Sequence, residues 1–271
     1  MKPNRVNKPH LAIAAGLVLL ALLSLALVFR GYGKLEPSRE QGVSKVAHPC
    51  QISRFEAVDY ITCIADPVAM DVRLFHASAD KQPWSNVEGL VAEQIRVANA
   101  PLMAMNAGMY HADMAPVGLL VEDGEEISPL NTADDIGNFF LKPNGVFFID
   151  QSGRAAVMET SDFAEADIIP RIATQSGPML VVDGHLHPKF LADGTSKYIR
   201  NGVGVRADGN IVFAISRDAV NLHTFARAFR GQFNCPNALF FDGGVSTMVV
   251  RDQVFKNGDH PAGPVVAVFA K

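Results

Sequence analysis

The sequence predicts an α+β fold: a strand-rich single ectodomain of mixed or antiparallel sheets with a few packed helices. Three observations point there. Short apolar runs recur along the chain and stop at turn dipeptides, most often Asp-Gly. Two segments carry apolar residues at helical spacing instead. No internal repeat and no low-complexity tract appears in the part read as folded, so strands and helices must share one core.

In chain order, residues 1–10 hold Lys2, Arg5 and Lys8, and residues 11–29 are uncharged and rich in Leu, Ala and Val. That length matches the roughly 20 residues a helix needs to cross a bilayer core. A cleaved signal peptide has a shorter apolar region followed by a small-x-small site. Here the run passes directly into Arg30-Gly31-Tyr32-Gly33. The reading is therefore a transmembrane signal anchor with residues 1–10 in the cytoplasm. Residues 30–47 are polar and read as a tether. Residues 48–271 are expected outside the cytoplasmic (inner) membrane, facing the periplasm or the cell exterior.

Cys50 and Cys63 flank a short segment that a loop or hairpin would close, and thiols outside the cytoplasm pair. A Cys50–Cys63 disulfide is expected, with Cys235 free and buried. No Cys-x-x-Cys is present, which excludes a zinc ribbon or a thioredoxin-like redox site. Residues 85–99 place Val87, Leu90, Val91 and Ile95 on one helical face, with Ser85 or Asn86 as N-cap. Strands are expected on either side of Asp123-Gly124, Ser152-Gly153, Asp183-Gly184 and Asp208-Gly209. Residues 221–233 put Phe225, Phe229 and Phe233 on one face behind Asn221, a core stripe with its cap. Setting aside Lys2, Arg5 and Lys8 takes the formal net charge from −4 to −7. No basic run remains, so nucleic acid is excluded as a partner.

The most informative stretch is Asp242-Gly243-Gly244-Val245-Ser246-Thr247, lying between Ala238-Leu239-Phe240-Phe241 and Met248-Val249-Val250. A carboxylate, flexible backbone and two hydroxyls stand at the lip of a core strand. Alone, the hexapeptide is equally a turn. Other apolar stretches end the same way: at Asn106-Ala107-Gly108, at Lys142-Pro143-Asn144-Gly145, at Gln175-Ser176-Gly177-Pro178 and at Arg200-Asn201-Gly202. Long polar side chains at core strand ends must find partners, and converging on one another satisfies them.

These motifs, with Pro116-Val117-Gly118, stand in the order and approximate spacing of the phosphodiester glycosidase family, which the chain resembles from about residue 54 to 271. Two departures mark it. Val245 replaces the third glycine of the family's Asp-Gly-Gly-Gly-Ser, and Ile199-Arg200-Asn201 replaces Pro-Arg-Thr. A β-branched residue at position 245 would be strained if that position needed φ > 0.

The resemblance implies a hydrolase of sugar phosphodiesters or related envelope glycoconjugates. Its expected catalytic residues are Asp242, Arg200, Asn106 and Ser246. Gly108, Gln175, Ser176, Gly177, Asn201, Gly243, Gly244, Thr247 and Lys142 are expected to bind substrate. Arg200 suits phosphate because a guanidinium grips its oxygens bidentately. Gly243-Gly244 suggests an anion-binding nest. Glycosidases usually employ two carboxylates; Glu122, Asp113 and Asp218 are the candidates for a partner of Asp242. No cofactor is required on this reading, with Ca²⁺ or Mg²⁺ at Asp242 as the alternative. His185 and His187 read as a loop edge rather than a zinc site. The competing reading is a non-catalytic envelope protein that binds phosphorylated or anionic glycans.

Overall fold

The computed structural model describes residues 49–271, apart from residues 79, 85, 257 and 258. The segment read as a membrane anchor and the whole of the tether lie outside the described residues. Ala47–Lys271 forms one compact unit.

Three antiparallel sheets build it. The first runs β1 (Cys50–Phe55), β2 (Val58–Ala65), β13 (Ile211–Ser216), β12 (Asn201–Val205), β14 (Asn237–Phe240), β10 (Met179–Val182), β11 (His185–Leu186). The second runs β16 (Gln253–Lys256), β15 (Thr247–Val250), β4 (Met103–Asn106), β17 (Val265–Ala270), β3 (Met70–Phe75). The third runs β6 (Glu125–Ser128), β5 (Leu120–Glu122), β9 (Pro170–Ser176), β7 (Gly145–Asp150), β8 (Ala155–Glu159). Among the described residues, three short helices join them: α1 (Val87–Arg96), α2 (Thr160–Glu165) and α3 (Leu222–Arg227), the last running into a π-helical turn over Ala228–Gln232.

Alternation along the strands explains the layering. Successive side chains point to opposite faces. Leu239 and Phe241, Phe213 and Ile215, Met103 and Met105, Val266 and Val268, and Phe147 and Ile149 enter one central core shared by all three sheets. Their neighbours face outward, where each sheet meets one helix. Val212, Ala214 and Phe240 meet Phe225, Phe229 and Phe233 of the α3 segment. Ala104, Val265, Ala267 and Phe269 meet Val87, Leu90 and Val91 of α1. Val146, Phe148 and Ala173 meet Phe163 of α2. Strands covered on both faces carry no polar alternation, which is why they stand in the sequence as unbroken apolar runs.

Local expectations are met where the chemistry is local. Asn86 caps α1, its Oδ1 accepting from Gly89 N at 2.8 Å, and Asn221 caps α3 by accepting from Thr224 N at 2.8 Å. Asp123-Gly124 and Asp183-Gly184 each join two strands with both residues at positive φ, as a type I′ turn requires. Cys50 and Cys63 face each other across β1 and β2 and form the disulfide; Cys235 is free and buried. The β1–β2 turn uses Glu56 and Ala57 at positive φ, a pairing no turn signal announces. Helix α2 carries no sequence signal either, being under two turns long.

Candidate functional site

Strand ends from all three sheets meet at one place. Asn106 ends β4, Asn201 opens β12 behind Arg200, Asp242 follows β14, Thr247 opens β15 and Ser176 ends β9.

Asn201 is the hub. Its Nδ2 donates to Asn106 O at 2.9 Å and Asn106 Oδ1 at 2.8 Å, and its Oδ1 accepts from Asp242 N and from Ser246 Oγ, both at 3.2 Å. Asn106 Oδ1 also accepts from Thr247 N at 2.8 Å. Ser246 Oγ lies 2.6 Å from Asp242 O, and Ser176 Oγ donates to Phe241 O at 2.8 Å. These side chains are all buried, so each bond replaces water that cannot reach them. One group stays unsatisfied: Asn106 Nδ2 is buried without a partner.

Arg200 carries the electrostatic interest. The residue is 2% exposed, yet among the described residues no carboxylate oxygen lies within 4.0 Å of its guanidinium. Its Nε donates to Val220 O at 2.8 Å and its Nη2 to Ser196 O at 2.9 Å. The guanidinium carbon stands 5.2 Å from the centre of the Phe240 ring and 5.5 Å from that of Tyr198. Carbonyls and ring faces therefore surround this cation where an anion would otherwise pair with it. Burial pulls its pKa down to about 10, while Tyr198 and Asp242 oppose the fall.

Asp242 is raised above the ordinary aspartate range, chiefly by burial, with the Gly244 N–H, His260 and Arg200 opposing. Its Oδ1 accepts from Gly244 N at 2.9 Å. Tyr110 is pushed up to about 12 by burial and then by Asp242, and its hydroxyl donates to Pro261 O at 2.6 Å. Tyr110 and His260 are site neighbours that the sequence does not single out. Tyr110 sits inside the Asn106 motif, but nothing there marks its ring as facing Asp242. His260 lies in a Pro- and Gly-rich stretch with no periodicity.

The remaining expected residues divide. Gly108 N donates to Thr174 Oγ1 at 3.2 Å, and a Cβ there would stand 2.4 Å from Gln175 O. A Cβ on Gly177 would meet Phe139 O at 2.4 Å. Both glycines are required by close packing. Gln175 turns away from the cluster: its Oε1 accepts from Leu119 N and Asn131 N, and its Nε2 donates to Asn131 O and Thr160 Oγ1. All four hydrogen bonds an amide side chain can make are thus spent on Leu119, the 131 loop and α2. Lys142 also stands apart, at the surface, paired with Asp134 at 2.5 Å and donating to Thr132 O at 3.2 Å.

Two backbone expectations need correction. Val245 is not among the residues at positive φ, so its β-branch is unstrained. Neither Gly243 nor Gly244 has φ in the left-handed region, so no αR–αL pair stands there. Gly243 provides room instead: a Cβ there would stand 3.1 Å from Arg200 Nη1 and 3.1 Å from Phe240.

None of the three suggested partner carboxylates is among the charged groups that act on Asp242, which are His260 and Arg200. Glu122 lines a separate cavity, and Asp113 binds Ala115 N in an exposed turn. His185 is exposed, while His187 is buried and stacks on Phe190 at 4.6 Å. Among the described residues no group of three or more His, Cys, Asp or Glu is placed to hold a metal ion.

A family profile described as phosphodiester glycosidase matches residues 99–269. The chain belongs to the phosphodiester glycosidase family. The matched span holds every strand end that meets at the cluster. An Escherichia coli K12 relative, the uncharacterized protein YigE, is 32% identical over 206 residues, covering 76% of this chain and 80% of its own length. Among solved structures, the fold is similar to the catalytic domain of zebrafish N-acetylglucosamine-1-phosphodiester alpha-N-acetylglucosaminidase, auto-inhibited by its pro-peptide. That match has a TM-score of 0.58 at 15% identity and covers 82% of each chain. A hypothetical protein from Synechocystis matches with a TM-score of 0.54 at 12% identity, over 82% of this chain and 61% of that one. At such identities the likeness is one of fold.

Proposed function

We propose that this phosphodiester glycosidase family member hydrolyses a glycosyl phosphodiester in the cell envelope, with water attacking the anomeric carbon. The observation that carries the reading is Arg200, a buried guanidinium with no carboxylate in range among the described residues, beside a carboxylate whose proton affinity burial has raised. A cation desolvated without a counter-ion is under-compensated, and a phosphate oxygen supplies what it lacks.

In this mechanism Arg200 holds the departing phosphate, which as a stable anion needs little protonation. Asp242 accepts the proton of the attacking water. Oδ1 is engaged by the Gly244 N–H, which leaves Oδ2 for that role. A base performs best when its pKa approaches the working pH, and burial moves Asp242 in that direction. A carbon–oxygen bond forms from water, the bond from the anomeric carbon to the phosphate oxygen breaks, and the electron pair leaves with phosphate. Asn201, Ser246 and Asn106 are positioning residues that tie the Asp242 backbone to β4 and β12. Gly108, Ser176 and Gly177 hold strand ends together.

The donor set at Asp242 suits Ca²⁺ or Mg²⁺ poorly. It offers one carboxylate already accepting a backbone N–H, with a guanidinium and an imidazole as charged neighbours. A chelator is therefore expected to leave the rate unchanged.

Residues 11–29 are proposed to anchor the domain on the outer side of the cytoplasmic membrane. The Cys50–Cys63 disulfide supports an oxidising compartment. Protease protection of an N-terminal tag in spheroplasts, with digestion of the domain, is the expected result.

The test of the chemistry is turnover of a model N-acetylglucosaminyl phosphodiester in ¹⁸O-water. The label should appear in the sugar and not in phosphate. Label in phosphate, or an undiminished rate in Asp242→Asn, would sink the assignment. Saturable binding without turnover would instead favour an anion-binding envelope protein.

A further inference from the structure

Arg200 has a second side. A cavity of about 240 Å³ opens against it, walled by Leu141, Phe190 and Leu222, with Lys189 and His223 supplying basic groups. No Asp or Glu among the described residues lines this cavity, although acids outnumber Lys and Arg in the chain, 28 to 24. The guanidinium thus stands between two environments. On one side Nη1 lies against Gly243, next to Asp242. On the other, Nη2 reaches the backbone oxygen of Ser196, a residue that lines the cavity, while Nε reaches Val220 O.

Resting on the hydrolase reading above, we infer that this cavity is the subsite for the non-sugar arm of the phosphodiester, and that it selects a small apolar group such as an aryl ring. A phosphate held by Arg200 directs one ester arm toward Asp242 and the other into the cavity. Leu141, Phe190, Leu191 and Leu222 give the cavity apolar walls beside the polar Thr195, Ser196 and Asn221, so the second arm gains by burying apolar surface there. The absence of acids lets the phosphate charge approach, and Lys189 and His223 add attraction at long range. Size is consistent. Roughly 150 Å³ holds a benzene-sized molecule, so about 240 Å³ accommodates a ring and its ester oxygen.

The experiment uses the full-length chain in detergent. Binding of phenyl phosphate and of inorganic phosphate is measured by calorimetry. Phenyl phosphate should bind about tenfold tighter, Leu222→Ala should narrow the gap to about twofold, and Lys189→Ala should weaken both ligands alike. Equal affinity for the two ligands overturns the proposal. So does a gap untouched by both Leu222→Ala and Leu141→Ala, two substitutions at different walls.

Parallel turnover of phenyl and methyl diesters of one sugar separates the two claims. A phenyl preference in binding with no turnover of either diester upholds the pocket and removes the hydrolase reading. Turnover of both with the same KM, and no phenyl preference in binding, removes the pocket and leaves the hydrolase.

Discussion

Among the described residues, a buried polar region around Arg200 and a partly exposed one around Arg73 and Arg171 are balanced differently. Around Arg200 the cation meets carbonyls and ring faces, with no carboxylate within 4.0 Å among the described residues. In the cavity of about 480 Å³ between β3, β5 and β9, Asp71 bonds Arg73 at 2.6 Å and lies 3.9 Å from Arg171. There the charges answer one another. Of the other acids there, Glu122 is pushed up to about 7 by burial, with a His76 backbone bond opposing, and its Oε1 is buried without a partner among the described residues. Arginines paired with Asp71 contribute to packing, whereas the unpaired Arg200 cation retains its attraction for an anion. That contrast favours the smaller, less cavernous region as the seat of the proposed function.

The largest effect should come from Asp242→Asn, which keeps the shape and removes the base. A loss of about 10²–10⁴ in kcat/KM is expected, the usual contribution of a positioned acid–base group. Far-UV circular dichroism should be unchanged. A rate within a few fold of wild type would erase the distinction between the two regions.

Next comes Asn201→Ala, which removes the acceptor of Asp242 N and takes one partner each from Asn106 O, Asn106 Oδ1 and Ser246 Oγ. Unsatisfied buried groups cost about 1–3 kcal/mol each, so a loss near 3 kcal/mol is expected in urea denaturation after partial relaxation. Asn201→Asp should not rescue it, because no donor then faces the two Asn106 oxygens.

Glu122→Gln tests the other region, and its effect should depend on pH. The folded carboxyl holds its proton up to about pH 7, while the unfolded one releases it near the ordinary glutamate value of 4.5. Between those values the native state binds more protons, so wild-type stability falls as pH rises from about 4.5 to about 7. Glutamine does not ionise, so the variant should match wild type at pH 4. At pH 8 it should be more stable, by about 2 kcal/mol from the size of that displacement, reduced for the group's partial exposure. Thermal melts at the two pH values read this directly, and turnover should be unaffected at both. A pH-independent difference would mean that Glu122 is not the group buried neutral.

The smallest effect belongs to Lys142→Ala. Its pair with Asp134 is exposed, and such pairs contribute about 0.2–1 kcal/mol at most. Turnover should stay within twofold. A large loss would return Lys142 to the site from which its position removes it.

Much of the fold is legible in the amino-acid order. The Asp-Gly turns, the Asn86 and Asn221 caps, the Phe225–Phe229–Phe233 stripe and the Cys50–Cys63 pairing are decided by neighbours in sequence or by a short hairpin. Motif order points to the family. The polar strand ends announce that they need partners, but not which ones. Gln175 and Lys142 carry the same local signature as Asn106 and Arg200, yet one clasps the 131 loop and the other pairs at the surface.

The sequence by itself therefore determined the elements and the family, because propensity, capping and motif spacing act over a few residues. Tertiary structure alone decided which polar groups converge. Asn106 and Asn201 lie 95 positions apart and in different sheets. The hydrogen bonds that join them, and the lack of a carboxylate at Arg200 among the described residues, are properties of three packed sheets.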